Sequence, residues 1–219
     1  MGQINEWFQY LMDSEELIRT GGLVAITLII FIENGFFFGF FLPGDYLLFL
    51  SGVFCGTKLL NVPLPLLIVC IFLAAVFGSL VGYLSGLYFG DKIQARPDSL
   101  FFKKKHIDST RKYFAKYGSQ TLIIARFLPV VRTFSPILAG IVKMQFYKFM
   151  IFNVVGAAIW VFTLVGGGFY FGEKFPGIIN YVEYIIIFFL AVTTFTVVRG
   201  YLNARKGMNE PEEQNEPML

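Results

Sequence analysis

The sequence predicts an all-α polytopic membrane protein. Its core is an inverted repeat of a re-entrant helical hairpin plus a transmembrane helix, with an N-terminal interfacial helix and an extra C-terminal transmembrane helix. Three observations predict it. First, the 219 residues are 56% hydrophobic and 15% charged, with 27 Phe and 11 Tyr; soluble domains run at about 45–50% and about 25%. Second, the mean hydropathy of +0.64 is concentrated in five apolar stretches, 22–56, 62–90, 119–142, 146–172 and 177–198. Third, two short motifs recur in the same order. Phe41-Leu42-Pro43 returns as Phe127-Leu128-Pro129, 86 positions on, and Leu87-Tyr88-Phe89-Gly90-Asp91-Lys92 as Phe169-Tyr170-Phe171-Gly172-Glu173-Lys174, 82 positions on. Such a chain is not a soluble enzyme, a disulfide scaffold or a disordered regulator.

Residues 1–20 carry Glu6, Asp13, Glu15 and Glu16 against Arg19, the wrong sign for the basic start of a signal peptide. Ile4, Trp7, Phe8 and Leu11 share helical spacing, so the segment is expected to lie at the membrane interface. The membrane domain is expected over 21–198. Its first repeat spans about 22–90, a basic loop 91–117, the second repeat about 119–172, and a last span 177–198.

The stretches 62–90, 146–172 and 177–198 each exceed the roughly 20 helical residues that cross a ~30 Å hydrocarbon core. The other two are broken. Glu33, Asn34-Gly35 and Pro43-Gly44-Asp45 interrupt 22–56; Arg126, Pro129, Arg132 and Pro136 interrupt 119–142. Flanks of about 11 residues are roughly 16 Å of helix, half a bilayer. Each stretch is therefore expected to enter and leave on one side, its tip near Pro43 and Gly44 or near Pro129. Non-helical backbone at that depth needs protein or a wet cavity around it. Each unit then crosses once, so the two copies are inverted, as in secondary transporters.

Charge sets the sides. Loop 91–117 holds eight Lys/Arg (Lys92, Arg96, Lys103, Lys104, Lys105, Arg111, Lys112, Lys116), and Arg199, Arg205 and Lys206 follow the last span. Both regions are expected to be cytoplasmic. The acidic, Pro-containing residues 199–219 read as a disordered cytoplasmic tail.

The chemistry is expected where the breaks meet. A charge at the bilayer centre costs about 2.5–3.5 kcal/mol on the insertion scale, so Glu33, Asp45, Arg126 and Arg132 need partners or water. On an unbroken helix Arg126 and Arg132 would point about 240° apart; a proline break lets them converge. Two guanidiniums then form a forked donor set suited to phosphate. With all four groups ionised the site is neutral, and protonating Glu33 or Asp45 would offset the charge of an incoming phosphate. Asn153 is placed to hydrogen-bond a tip or a neighbouring helix. Gly78, Gly82, Gly86 and Gly90 form a small-residue stripe for close helix packing. Cys55 and Cys70 are expected to be packing residues. No cofactor, metal or nucleic-acid partner is expected, and a homo-oligomer is left open.

An acidic residue, then Phe41-Leu42-Pro43-Gly44-Asp45, a basic loop, Arg126-Phe127-Leu128-Pro129-Val130-Val131-Arg132, Ala139-Gly140, and Asn153 through Gly156 to Trp160 together resemble the DedA family of bacterial membrane proteins, part of the VTT-domain superfamily. The resemblance covers roughly residues 20–200. It implies two facing re-entrant hairpins and the return of undecaprenyl phosphate across the cytoplasmic membrane, dependent on the proton motive force. The family's essential acidic pair falls on Glu33 and Asp45, and its essential arginines on Arg126 and Arg132, with Asn153 and Gly140 in support. Asp45 stands where the family often has Glu. Eukaryotic relatives look like phospholipid scramblases, which leaves a non-selective scramblase as the alternative. A lipid-phosphate phosphatase would need two histidines, and the chain has only His106, so no enzyme is expected.

Overall fold

The computed structural model describes residues 14–36, 44–95 and 120–175, with positions 177, 184 and 191. Several expectations lie outside these residues: the interfacial positions Ile4, Trp7, Phe8 and Leu11, the tip residue Pro43, most of the basic loop, nearly all of the last span, and the tail. Among the described residues the regular structure is helical, with one isolated bridge between Cys55 and Leu60.

Helix α1 runs Ser14–Gly35 and is kinked at Gly22, whose φ of 52° is a conformation glycine adopts without steric cost. The sequence of α1 is polar before this kink and apolar after it. Helix α2 covers Gly44–Phe54, 11 residues with Asp45 in its first turn, where a carboxylate is favoured by the helix dipole. Helix α3 spans Leu64–Ala95, five residues beyond the predicted span, because Asp91 to Ala95 contain no helix breaker.

The second broken stretch is interrupted once. Helix α4 (Thr121–Ala125) ends in a turn over Arg126–Leu128, and α5 runs Pro129–Ile141. Pro129 takes the first helical position, where its missing N–H would be unpaired anyway. Arg132 and Pro136 sit inside α5. Pro136 cannot donate to the Arg132 carbonyl; the Ser135 hydroxyl reaches that oxygen at 3.4 Å. Helix α6 (Phe146–Val161), a π-turn (Phe162–Gly166) and α7 (Gly167–Lys174) follow without interruption.

Among the described residues two helices are long and apolar enough to cross a membrane, Leu64–Gly90 with 27 residues and Phe146–Lys174 with 29. At 1.5 Å per residue each is about 40 Å long. Their exposed positions include Leu66, Val69, Leu73 and Phe77 on α3 and Ile151, Val155 and Ile159 on α6. Apolar surface this extensive is stable against lipid, not water.

Glycines set the packing. A Cβ on Gly86 would strike the Ile137 carbonyl, one on Gly140 the Tyr83 carbonyl, and one on Gly90 would lie 3.1 Å from the Ile141 Cα. In the other half a Cβ on Gly168 would strike the Phe49 carbonyl, one on Gly52 the Val165 carbonyl, and one on Gly172 would lie 3.0 Å from the Val53 Cα. The same three contacts occur twice. Each time they join the long helix of one half to the second short helix of the other, 82 positions apart on the long helix and 88 on the short one. The glycine stripe on α3 is thus a packing surface, where bare backbones approach closely. The first limbs stay with their own long helices, α1 on α3 and α4 on α6.

Candidate functional site

Glu33, Asp45, Arg126 and Arg132 come from the inner ends of four short limbs. Glu33 lies in the last turn of α1, Asp45 in the first turn of α2, Arg126 caps the C-terminus of α4, and Arg132 is in the first turn of α5. Glu33, Arg126 and Arg132 are at most 4% exposed, while the Asp45 side chain keeps 17%.

The four charges do not pair one to one. Arg132 donates through Nη2 to Glu33 Oε1 and through Nη1 to Asp45 Oδ1, so one guanidinium holds both carboxylates. Buried charges need pairing and hydrogen bonds; this fork pairs both carboxylates but leaves Glu33 Oε2 and Arg132 Nε without a hydrogen-bond partner. Gly44 is required here for its lack of a side chain, since a Cβ would collide with the Glu33 carboxylate. Trp160 completes the cluster from α6. Its indole N–H donates to Asp45 Oδ1 at 3.0 Å, and its ring lies 4.6 Å from the Arg132 Cζ.

Arg126 is held differently. Its Nη2 donates to the Ser79 hydroxyl at 2.9 Å and to Asn153 Oδ1 at 2.5 Å, both neutral. Asn153 in turn donates from Nδ2 to the Val76 carbonyl on α3 at 3.1 Å. It therefore links the turn after α4 to α3. Gly156 leaves space for the arginine, with its virtual Cβ 3.1 Å from the Arg126 Cδ. Among the described residues Arg126 has no carboxylate partner, and its Nη1 has no hydrogen-bond partner.

Between the arginines is a cavity of about 10 Å³, bordered by Ser79, Leu122, Arg126, Arg132, Ser135, Pro136, Phe149 and Asn153. Tyr83 stacks on Phe149 at 4.3 Å and donates to the Met144 carbonyl, bracing that wall. Gly140 lies apart from the constellation, in the α3–α5 contact. Pro129 opens α5 three residues before Arg132. Ser79, Ser135 and the bonding role of Trp160 were not legible in the sequence. A hydroxyl on a span is a weak signal, because serines and threonines in apolar helices commonly bond to their own backbone, as Thr27 does to the Leu23 carbonyl.

Comparison with known proteins adds an independent line. The VTT domain family matches residues 42–170. Protein DedA of Escherichia coli (strain K12) is 36% identical over 160 residues, 72% of this chain and 73% of the relative. An uncharacterized membrane protein of Mycobacterium tuberculosis is 31% identical over 208 residues, 92% of this chain and 91% of its own length. Inner membrane protein YqjA of Escherichia coli (strain K12) is 29% identical over 176 residues, 80% of this chain and 79% of the relative. No solved structure matches the chain.

Proposed function

The chain belongs to the DedA family of VTT-domain membrane proteins, and from that premise we propose that it is a flippase. Its substrate is a polyprenyl phosphate, namely undecaprenyl phosphate, which it returns across the bacterial cytoplasmic membrane for carrier-lipid recycling, coupled to protons.

The observation that carries this reading is the uneven sharing of charge. Both carboxylates are on Arg132, and Arg126 is buried among neutral partners with a free N–H. An anion supplies what Arg126 lacks, and the phosphate headgroup of a lipid is the anion a membrane-embedded site meets. For Arg132 to join in holding it, a carboxylate must let go. Protonating Glu33 or Asp45 weakens that fork and offsets the added negative charge, so proton uptake and phosphate binding favour one another. The twice-repeated glycine contact supports an inverted repeat, in which two re-entrant hairpins enter from opposite faces and meet at the midplane. Rocking of one unit against the other then exposes the site to each side while the lipid tail stays in the bilayer. The basic loop and the C-terminus face the cytoplasm.

Reconstitution in liposomes tests this. Loss of undecaprenyl phosphate from one leaflet is followed with and without an inward proton gradient, beside Arg132→Ala. Movement that needs Arg132 and responds to the gradient is the expected result. Equal movement of ordinary phospholipids, indifferent to the gradient, would make the protein a scramblase.

A further inference from the structure

The cavity between the arginines has a wall chemistry of its own. Among the described residues, Arg126 Nη1 and Arg132 Nε are buried guanidinium nitrogens without a hydrogen-bond partner, and both residues border this cavity. Two buried hydroxyls, Ser79 and Ser135, border it as well. No carboxylate does: Glu33 and Asp45 are bound to the Nη atoms of Arg132 and do not border the cavity. The one side-chain amide oxygen there, Asn153 Oδ1, already accepts from Arg126. The site therefore offers N–H and O–H donors with almost no competing acceptor. Its volume of about 10 Å³ admits one water-sized particle.

We propose that this cavity is a seat for a single anionic atom, either one oxygen of a phosphate monoester or a halide ion, with Ser79 as its hydroxyl donor and Ser135 as a second once its hydroxyl turns from the Arg132 carbonyl. The oxygen arm deepens the transport reading above and rests on it; the halide arm stands on the geometry alone. A halide would act as the resting counter-ion of Arg126 and would leave when a lipid phosphate arrives. The serines would then set preference for an anion bearing a small, exposed oxygen over one whose charge is buried in a bulky group. A seat of one atom also explains why two arginines are needed: one phosphate oxygen enters between them while the others remain free for Arg132 once it is released.

The test uses full-length protein in detergent micelles carrying Trp7→Phe, so that Trp160, whose ring lies under Arg132, is the remaining tryptophan. Bromide replaces gluconate at constant ionic strength, and Trp160 fluorescence is followed. Saturable quenching is expected, with affinity weakened about tenfold by Ser79→Ala and by Ser135→Ala, the usual effect of losing a hydrogen bond to a charged group. Dodecyl phosphate is then added as competitor. Displacement of bromide assigns the seat to a phosphate oxygen; saturable bromide without displacement assigns it to the halide. Quenching that never saturates, or that is unchanged in both serine variants of the folded protein, overturns the seat. The liposome assay separates this from the transport reading. Serine variants that flip lipid phosphate at the parent rate overturn the oxygen arm and leave the flippase standing. A seat that binds bromide in a protein that moves no lipid phosphate overturns the flippase and leaves the halide arm standing.

Discussion

Arg132 lies over the ring of Trp160, with Cζ 4.6 Å from the ring centroid, and the same indole donates to the Asp45 carboxylate that Arg132 holds. One aromatic residue thus touches both members of an ion pair whose partners are 87 positions apart. The ring face attracts the guanidinium, and the N–H holds the carboxylate beside it.

Trp160 variants separate the two contacts. Trp160→Phe keeps a ring beneath Arg132 and loses the donor to Asp45, so transport should fall about tenfold. Trp160→Leu removes both and should fall further. Rates in liposomes check this, and equal rates for the two variants would assign the whole effect to the hydrogen bond.

Arginine geometry is the second prediction. Arg132→Lys retains the charge but cannot hold two carboxylates through a planar fork, so transport is expected to drop by at least about tenfold. Arg126→Lys is expected to fall by a similar factor, because an ammonium does not match the Ser79 and Asn153 acceptors and the cavity at once. A charge-balancing role alone would leave both lysine variants near the parent rate.

Proton coupling makes a third prediction, with a definite sign. Under the proposed coupling, protonation of Glu33 or Asp45 releases Arg132 for the phosphate, so binding of dodecyl phosphate should tighten as pH falls from about 8 to about 5. The carboxylate that takes up the proton is identified by its amide variant: Glu33→Gln or Asp45→Asn, whichever is the coupling residue, should flatten that dependence. Calorimetric titrations across this range, in two buffers of different ionisation heat, measure the affinity and the protons taken up together.

Packing supplies a fourth. Gly140→Val and Gly52→Val place a side chain against the Tyr83 and Val165 carbonyls respectively. Both contacts are backbone on backbone and cannot yield by a rotamer change, so each variant should lose about 2 kcal/mol or more of stability. Thermal unfolding in detergent should show shifts of similar size for the two, since they occupy the same place in the two halves. Gly167→Ala, with nothing within 4 Å of its added Cβ, is the neutral control.

Much of this molecule was legible in the chain before any fold was known. Long apolar runs specified the two crossing helices, since backbone in lipid must satisfy its own hydrogen bonds. Proline and glycine marked the breaks, and the breaks carried the charges. The spacing of Phe-Leu-Pro and of the Gly-Asp/Glu-Lys ends reads as a duplicated unit, and the glycine contacts of α3 with α5 recur with the same order between α2 and the π-turn and α7. Pro136 sits inside α5 without ending it, because a proline within a helix removes one hydrogen bond and a neighbouring serine hydroxyl serves the orphaned carbonyl.

Which charge meets which was beyond the sequence. Glu33 and Arg132 are 99 positions apart and Asp45 and Arg132 are 87 apart, and their side chains meet only because glycine contacts dock α5 on α3 and α2 on the π-turn and α7. Composition could balance two acids against two arginines, but local patterning reaches only a few residues along a helix. Ion pairing is decided by distances of a few ångströms between separate limbs, and those distances exist only after the long helices have packed. That packing gave both carboxylates to Arg132 and left Arg126 to Ser79 and Asn153.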